Sequence, residues 1–202
     1  MLIAVEGMDG VGKTEIAKHI CQEHGFTFIE KPLHYFYNDD ADNKYADLMK
    51  VAKRMYDIDD NVLKSWYIAL GNIYVTRMFQ NENIVIDRHL VSNFYWNGDL
   101  ESEPIFKTLI DTSGVPDLTI ILYASPTTRM ERLRKRDKND PDLNDPEKMD
   151  DGYNKMIYFV EKFNLPYIVI DTENMTLDEV KEVVDKEVKK LKGNTKKIGK
   201  IK

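Results

Sequence analysis

Residues 7–14 read Gly-Met-Asp-Gly-Val-Gly-Lys-Thr, and they lie between a short apolar run at 2–5 and a stretch with helical spacing at 14–23. A G-x-x-x-x-G-K-T string leaving a strand and opening a helix has the makings of an anion cradle. Glycines at 7, 10 and 12 let the backbone curl so that its N–H groups converge on phosphate oxygens. The start of the following helix adds a dipole that favours the anion. In that reading Gly7, Asp9, Gly10, Val11, Gly12, Lys13 and Thr14 bind ATP, Lys13 reaches the β- and γ-phosphates, and the Thr14 hydroxyl holds Mg²⁺. The competing reading is a glycine-rich turn with no ligand. Either way the string demands a strand entering and a helix leaving one tight turn, which restricts the fold before any other residue is considered.

The rest of the chain agrees with that demand. Continuous β-branched or aromatic runs recur at 2–5, 26–29, 84–86, 118–123 and 167–170, the pattern of strands buried on both faces. Helical spacing falls between them, at 14–23, 61–79, 127–136 and 177–191. Alternation of this kind predicts an α/β fold of three layers, αβα, with a five-stranded parallel sheet and helices on both faces. The interval between the second and third strands is long enough to hold two or three helices. With 202 residues, the expectation is one domain over 1–192, carrying a lid around 129–151 that is rich in Asp, Asn and Pro toward its end. Residues 193–202 are expected to be a basic, frayed tail, part of a lysine-rich run that starts at Lys189.

Composition excludes several classes. At 42% hydrophobic and 32% charged, the chain is that of a folded protein rather than a disordered one. A net charge of −6 carries no footprint for nucleic acid. No apolar segment approaches the length of a membrane span, and Cys21 is the one cysteine, so no internal disulfide can form. A cytoplasmic location is expected, with no membrane partner.

The string Asp87-Arg88-His89 follows the third apolar run, so an acid and a base sit at the carboxyl end of a central strand, the end that faces ligand in open parallel sheets. Asp87 is placed to hold Mg²⁺ with Thr14, and Arg88 to pair with a phosphate. A plain Asp-Arg ion pair capping the sheet is the alternative. Further on, 127–138 contains Arg129, Arg132, Arg134, Lys135, Arg136 and Lys138. Phosphoryl transfer spreads negative charge over oxygens, and an arginine that closes over them accelerates it. Helical spacing puts Arg129, Arg132 and Arg136 on one face and Arg134 with Lys138 on another. Arg132 and Arg136 are therefore candidates for catalysis and Arg129 for ATP binding; a solvated basic face is the competing reading.

These strings together resemble those of bacterial thymidylate kinases. Glu6 through Thr14 follows that family's first signature. Asp87-Arg88-His89-Leu90-Val91-Ser92 with Tyr95-Trp96-Asn97-Gly98 follows its second, Pro116-Asp117-Leu118-Thr119 its third, and 167–171 with 177–180 its last strand and helix. The resemblance covers 1 to about 190. Where the family has Arg-Glu-Pro-Gly-Gly, this chain has Ile29-Glu30-Lys31-Pro32-Leu33. It implies a kinase moving the γ-phosphoryl group of ATP to a nucleoside monophosphate, dTMP, with Mg²⁺, in a homodimer whose phosphate-closing arginine comes from the lid. Its acceptor site would draw on Asp9, Glu30, Lys31, Trp66, Tyr67, Tyr74, Arg77, Arg88, Ser92, Tyr95 and Asn97.

A monophosphate is already ionised near neutral pH, so its attack needs no general base, whereas a nucleoside 5′-hydroxyl needs a carboxylate beside it. Glu30 sits where deoxynucleoside kinases keep that carboxylate, which makes them the nearest alternative. Their Glu-Arg-Ser after the third strand reads Asp87-Arg88-His89 here and favours the monophosphate. A nucleotide switch is disfavoured, because Asn43-Lys44 and Asn154-Lys155 lack the residues that read guanine. His19, His24, His34 and His89 are not spaced for a metal and read as surface or packing residues. The run 137–142 departs from a calcium loop at its fifth and sixth positions. Asp57, Asp59 and Asp60 read as helix caps.

Overall fold

The five apolar runs become the strands of one sheet in a computed structural model that describes residues 1–33, 44–140, 143 and 152–198. In chain order the elements are β1 (Leu2–Glu6), α1 (Lys13–His24), β2 (Thr27–Glu30), α2 (Lys44–Tyr56), α3 (Asn61–Met78), β3 (Ile84–Asp87), α4 (Leu90–Asn97), α5 (Glu103–Ser113), β4 (Leu118–Tyr123), α6 (Pro126–Arg136), α7 (Tyr153–Lys162), β5 (Tyr167–Asp171) and α8 (Leu177–Ile198). The strand order is β2-β3-β1-β4-β5, and every neighbouring pair is parallel. Parallel neighbours need helical crossovers, so both faces are covered and both faces of each central strand are apolar.

On one face Ile3 and Val5 of β1 and Ile120 and Leu122 of β4 pack against Ile16 and Ile20 of α1 and Val184 and Val188 of α8. On the other, Ile121 packs with Leu90 and Phe94 of α4, Phe106 and Leu109 of α5, and Phe159 of α7. A third cluster joins Ile29, Ile84 and Ile86 to Val75 of α3. Each fully buried aliphatic side chain here contributes on the order of 1.5–3 kcal/mol.

The long interval before β3 holds α2 and α3 among the described residues. Asp60 caps α3, accepting from the Leu63 N–H at 2.9 Å, as a residue just ahead of a helix should. Helix α8 continues to Ile198, within the stretch 193–202 expected to fray. His34, residues 141–142 and 144–151 of the expected lid, and 199–202 lie outside the described residues. Among the described residues no helix is long and apolar enough to cross a membrane.

Two registers place the site. Val5 of β1 and Glu30 of β2 both stand level with Asp87 of β3, so the turns leaving these three strands open at one edge of the sheet. Chain order reverses there, since β1 leads to strands on one side and β3 leads back across to β4 on the other.

Candidate active site

The turn after β1 is built for a ligand that binds backbone. Helix α1 starts at Lys13 with Gly12 as its N-cap and no side chain capping it, so its first N–H groups are left for an external acceptor. Nothing lies within 4 Å of where a Gly12 side chain would begin. Gly10 is different. It has φ +86, and a Cβ there would sit 2.7 Å from the Arg129 carbonyl oxygen, so only glycine lets the loop rest on α6.

Lys13 crosses this loop. Its Nζ donates to the Met8 carbonyl at 2.8 Å and lies 3.7 Å from Asp9 Oδ1. Burial first and the nearby Arg88 guanidinium second pull its pKa down to about 7, against Asp9, Asp87 and Glu6, which favour the charge. A polyanion in the loop would reverse that balance.

Asp87 and Arg88 do not pair with each other. The Thr14 hydroxyl donates to Asp87 Oδ2 at 2.5 Å, and the other carboxylate oxygen, Oδ1, is buried without a partner among the described residues. A threonine hydroxyl beside a carboxylate with one idle oxygen is a donor set that fits Mg²⁺, an ion content with one or two protein ligands and the rest from water and phosphate. Arg88 pairs instead with Asp9 of the loop. Its φ is +72, a costly conformation for a residue with a Cβ, and it is held by its N–H donating to the Val5 carbonyl at 3.1 Å.

What holds this turn is Glu6, whose role the motif did not disclose. Its buried carboxylate accepts from the N–H groups of His89 (2.8 Å), Val91 (3.2 Å) and Ser92 (3.2 Å) and from the Ser92 hydroxyl (2.5 Å). An acid from β1 thereby caps α4, a helix with no side-chain cap of its own. Burial raises the Glu6 pKa against the Ser92 and His89 hydrogen bonds that lower it.

Beside the loop lies a cavity of about 560 Å³ whose wall includes Asp9, Lys31, Arg88, Ser92 and Asn97. These five are the acceptor residues expected from sequence that the fold brings together. Lys31 adopts φ +49, and the segment after it can lie against α3 because Gly71 is there: a Cβ at 71 would meet the Leu33 nitrogen at 2.4 Å.

The other expected acceptor residues fall elsewhere. Glu30 is exposed and outside this wall. Trp66 is on the solvent side of α3, Tyr67 packs edge-on against Tyr56, and Tyr74 lies on the third apolar cluster. Arg77 is at the opposite end of the sheet, donating to the Thr112 carbonyl at 2.8 Å. Tyr95 is buried in the core, and its neighbour Trp96 lines the cavity instead. Aromatic and basic identity had selected these positions, but helix phase decides which face they occupy. Lys64, Ile68 and Asn72, spaced four apart on α3, line the cavity, as do Ser92, Asn93, Trp96 and Asn97 on α4. His89 lines it too and is buried, so it is not a surface residue. His19 and His24 do pack, both against Asp185 Oδ1 of α8, at 2.9 and 2.7 Å.

The arginines of α6 grade from buried to exposed along one face. Arg129 is fully buried beneath the loop, with Nη1 3.3 Å from the Asp9 carbonyl, so it supports the loop from below rather than reaching over it. Arg132 donates to the Thr172 hydroxyl at 2.9 Å and carbonyl at 2.6 Å. It lines a second cavity, about 190 Å³, with Gly10, Val11, Gly12, Ile16, Thr172, Met175, Leu177 and Val180. That places it beside the loop's outer edge, where the apolar wall suits a flat base, and not over the phosphate path. Arg136 pairs with Asp140 one turn on.

A family model described as thymidylate kinase matches residues 5–184. A probable thymidylate kinase of Archaeoglobus fulgidus is 30% identical over 196 residues, 92% of this chain and 93% of that protein. One of Methanococcus maripaludis is 24% identical, covering 88% and 89%. Among solved structures, deoxyadenosine kinase from M. mycoides with bound dATP superposes with a TM-score of 0.63 at 20% identity, over 94% of this chain and 100% of that one. The same enzyme with products dCMP and a flexible dCDP gives 0.62 at 19%. At that identity the structural likeness speaks to the fold alone.

Proposed function

We propose, from the premise that this chain belongs to the thymidylate kinase family, that it transfers the γ-phosphoryl group of ATP to dTMP, giving dTDP and ADP. The observation that carries this reading is that Asp9 of the phosphate loop and Arg88, which pairs with it from the end of β3, both stand in the wall of the cavity of about 560 Å³. A phosphate ester held by Arg88 would lie next to the end of a triphosphate in the loop. Its ionised oxygen attacks the γ-phosphorus, the bond to the β–γ bridging oxygen breaks, and ADP leaves with the electron pair. No proton need be removed, so positioning and charge neutralisation by the loop amides and Lys13 suffice. Mg²⁺ held by Thr14 and Asp87 would neutralise charge on the ATP phosphate oxygens.

A nucleoside acceptor would need a base, and the carboxylate considered for that role, Glu30, stands level with Asp87 but is exposed. Cations dominate the cavity instead, with Lys31, Lys64 and Arg88 against Asp9, which supports an anionic acceptor. The test is ADP release with every nucleoside and nucleoside monophosphate in turn. The expected best acceptor is dTMP, and turnover of thymidine without dTMP would sink the reading.

We also read the outer face of α3 as the contact of a homodimer. Leu63, Trp66 and Leu70 recur at i, i+3 and i+7, each more than two-fifths exposed, and Val51 of α2 is exposed as well. An apolar stripe on the solvent side of a helix favours burial against a partner. Trp66→Glu is expected to turn a dimer into a monomer in light scattering behind a sizing column. A wild-type protein that already elutes as a monomer would dispose of the idea.

A further inference from the structure

The carboxylate of Glu173, in the turn between β5 and α8, applies both of its oxygens to the first turn of α6. Oε2 accepts from the Ser125 N–H at 2.6 Å, and Oε1 from the Ser125 hydroxyl at 2.8 Å and the Thr128 hydroxyl at 2.6 Å. Helix α6 does not need this acid in order to form. Pro126 opens it, and Ser125 is already its cap, accepting from the Thr128 N–H at 3.2 Å. What Glu173 adds is a tie between the helix and a turn 45 residues beyond Thr128.

That turn is itself fixed. The Thr172 N–H and hydroxyl both donate to the Tyr123 carbonyl at 2.8 Å, and the Glu173 N–H donates to Asp171 Oδ1 at 2.9 Å. One turn past Thr128, Arg132 returns two hydrogen bonds to Thr172, so α6 is held to the dipeptide Thr172-Glu173 at two levels. Thr172 and Arg132 are also the polar part of the wall of the 190 Å³ cavity beside the phosphate loop.

We propose that Glu173 is a positioning residue for the donor nucleotide: it sets α6 against the β5–α8 turn and so holds Arg132 and Thr172 as one wall of the cavity that takes the base of ATP. This rests on the reading of that cavity and the loop as the ATP site, and is independent of which monophosphate accepts. The Thr128 hydroxyl first and Ser125 next hold the Glu173 carboxyl below the ordinary glutamate range, with the Arg132 guanidinium acting in the same direction. The acceptor is therefore ionised at neutral pH, and hydrogen bonds to an ionised acceptor are the stronger kind. A free arginine loses much rotamer freedom when a ligand orders it, whereas Arg132 is ordered in advance, which lowers that cost of binding.

Calorimetric titration with a non-hydrolysable ATP analogue and, separately, with inorganic tripolyphosphate, each with Mg²⁺, tests this. Glu173→Gln keeps the size of the side chain and one carbonyl oxygen but turns an NH₂ toward the Ser125 and Thr128 donors. It is expected to weaken the analogue about tenfold and tripolyphosphate, which has no base, less than about twofold. In steady state the KM for ATP should rise by a similar factor while kcat and the KM for the acceptor change little. Thr128→Val, which removes one of the three bonds, should show the same pattern with a smaller loss, and it carries the test if the glutamine variant does not fold. Equal losses for the two probes, or a lower melting temperature with wild-type affinity for the analogue, overturn the proposal in favour of a cap that only stabilises the helix. The two readings fail separately. A wild type that binds both probes equally defeats the cavity as a base site and this inference with it, whereas a wild type that favours the analogue and loses nothing in either variant defeats this inference alone.

Discussion

Lys13→Ala is expected to slow phosphoryl transfer by on the order of a thousandfold while the protein melts at or above the wild-type temperature. Both halves follow from the same geometry. In the loop the Lys13 ammonium is buried, with the Met8 carbonyl at 2.8 Å and Asp9 at 3.7 Å as its hydrogen-bond and ion-pair partners among the described residues. That is too little to offset desolvation, and its pKa falls from 10.5 to about 7. The unfolded chain therefore binds this proton more tightly than the folded one. Stability attributable to Lys13 rises with pH between about 7 and 10.5, and is lowest at and below the folded-state value. Removing the side chain removes that penalty, so the variant should gain on wild type at pH 7 and lose the advantage toward pH 10. With a triphosphate bound, the anion restores the charge, so nucleotide binding near pH 8 should take up a proton in the wild type and not in the variant. Steady-state ADP release, thermal melts across pH, and calorimetry in buffers of different ionisation enthalpy read the three effects. Wild-type turnover in the alanine variant would remove the loop from the chemistry altogether.

Glu6→Ala is expected to lower stability by about 3 kcal/mol or more, the largest loss available from a single polar side chain in this site. The carboxylate accepts four hydrogen bonds from the first turn of α4 and its approach. Alanine would leave three buried N–H groups and the Ser92 hydroxyl without that acceptor, and water has little access because Glu6 is fully buried. The residues so anchored include His89 and Ser92 of the acceptor cavity, and Arg88 precedes them in its left-handed conformation. Activity should therefore fall through a raised KM for the acceptor before the fold is lost, with the KM for ATP less affected. Glu6→Gln is the discriminating companion. It keeps one carbonyl oxygen but turns an NH₂ toward donors, so it should recover only part of the stability. Urea unfolding of the three proteins measures this, and a glutamine variant as stable as wild type would mean that the acid does not act as an acceptor-only cap.

The elements most legible in sequence were those set by local chemistry. A strand, a glycine loop, a lysine and a helix in immediate succession can be arranged in few ways, and the five apolar runs could only be strands buried on both sides. Asp87 and Arg88 were also recognisable, because the end of a central strand is a position that topology alone turns toward ligand. The acceptor residues were harder. Trp66, Tyr67, Tyr74 and Arg77 carry suitable side chains, yet their phase on α3 turns them to solvent, to other aromatics or to the far end of the sheet. The four-residue spacing of Lys64, Ile68 and Asn72 was available in the sequence but gave no sign of which helix face meets the cavity.

What the sequence by itself determined is therefore the strand, glycine loop and helix around 2–24 and the layered α/β plan, since hydrophobic period and glycine placement act within a few residues of each other. Only the tertiary structure decided the rest. It showed Glu6 of β1 capping α4, Arg88 pairing with Asp9, Arg129 buried under the loop, and the Asn72 amide nitrogen and His89 ring without partners among the described residues. Each of these joins residues far apart in the chain, and whether a polar atom is satisfied depends on neighbours that only packing supplies.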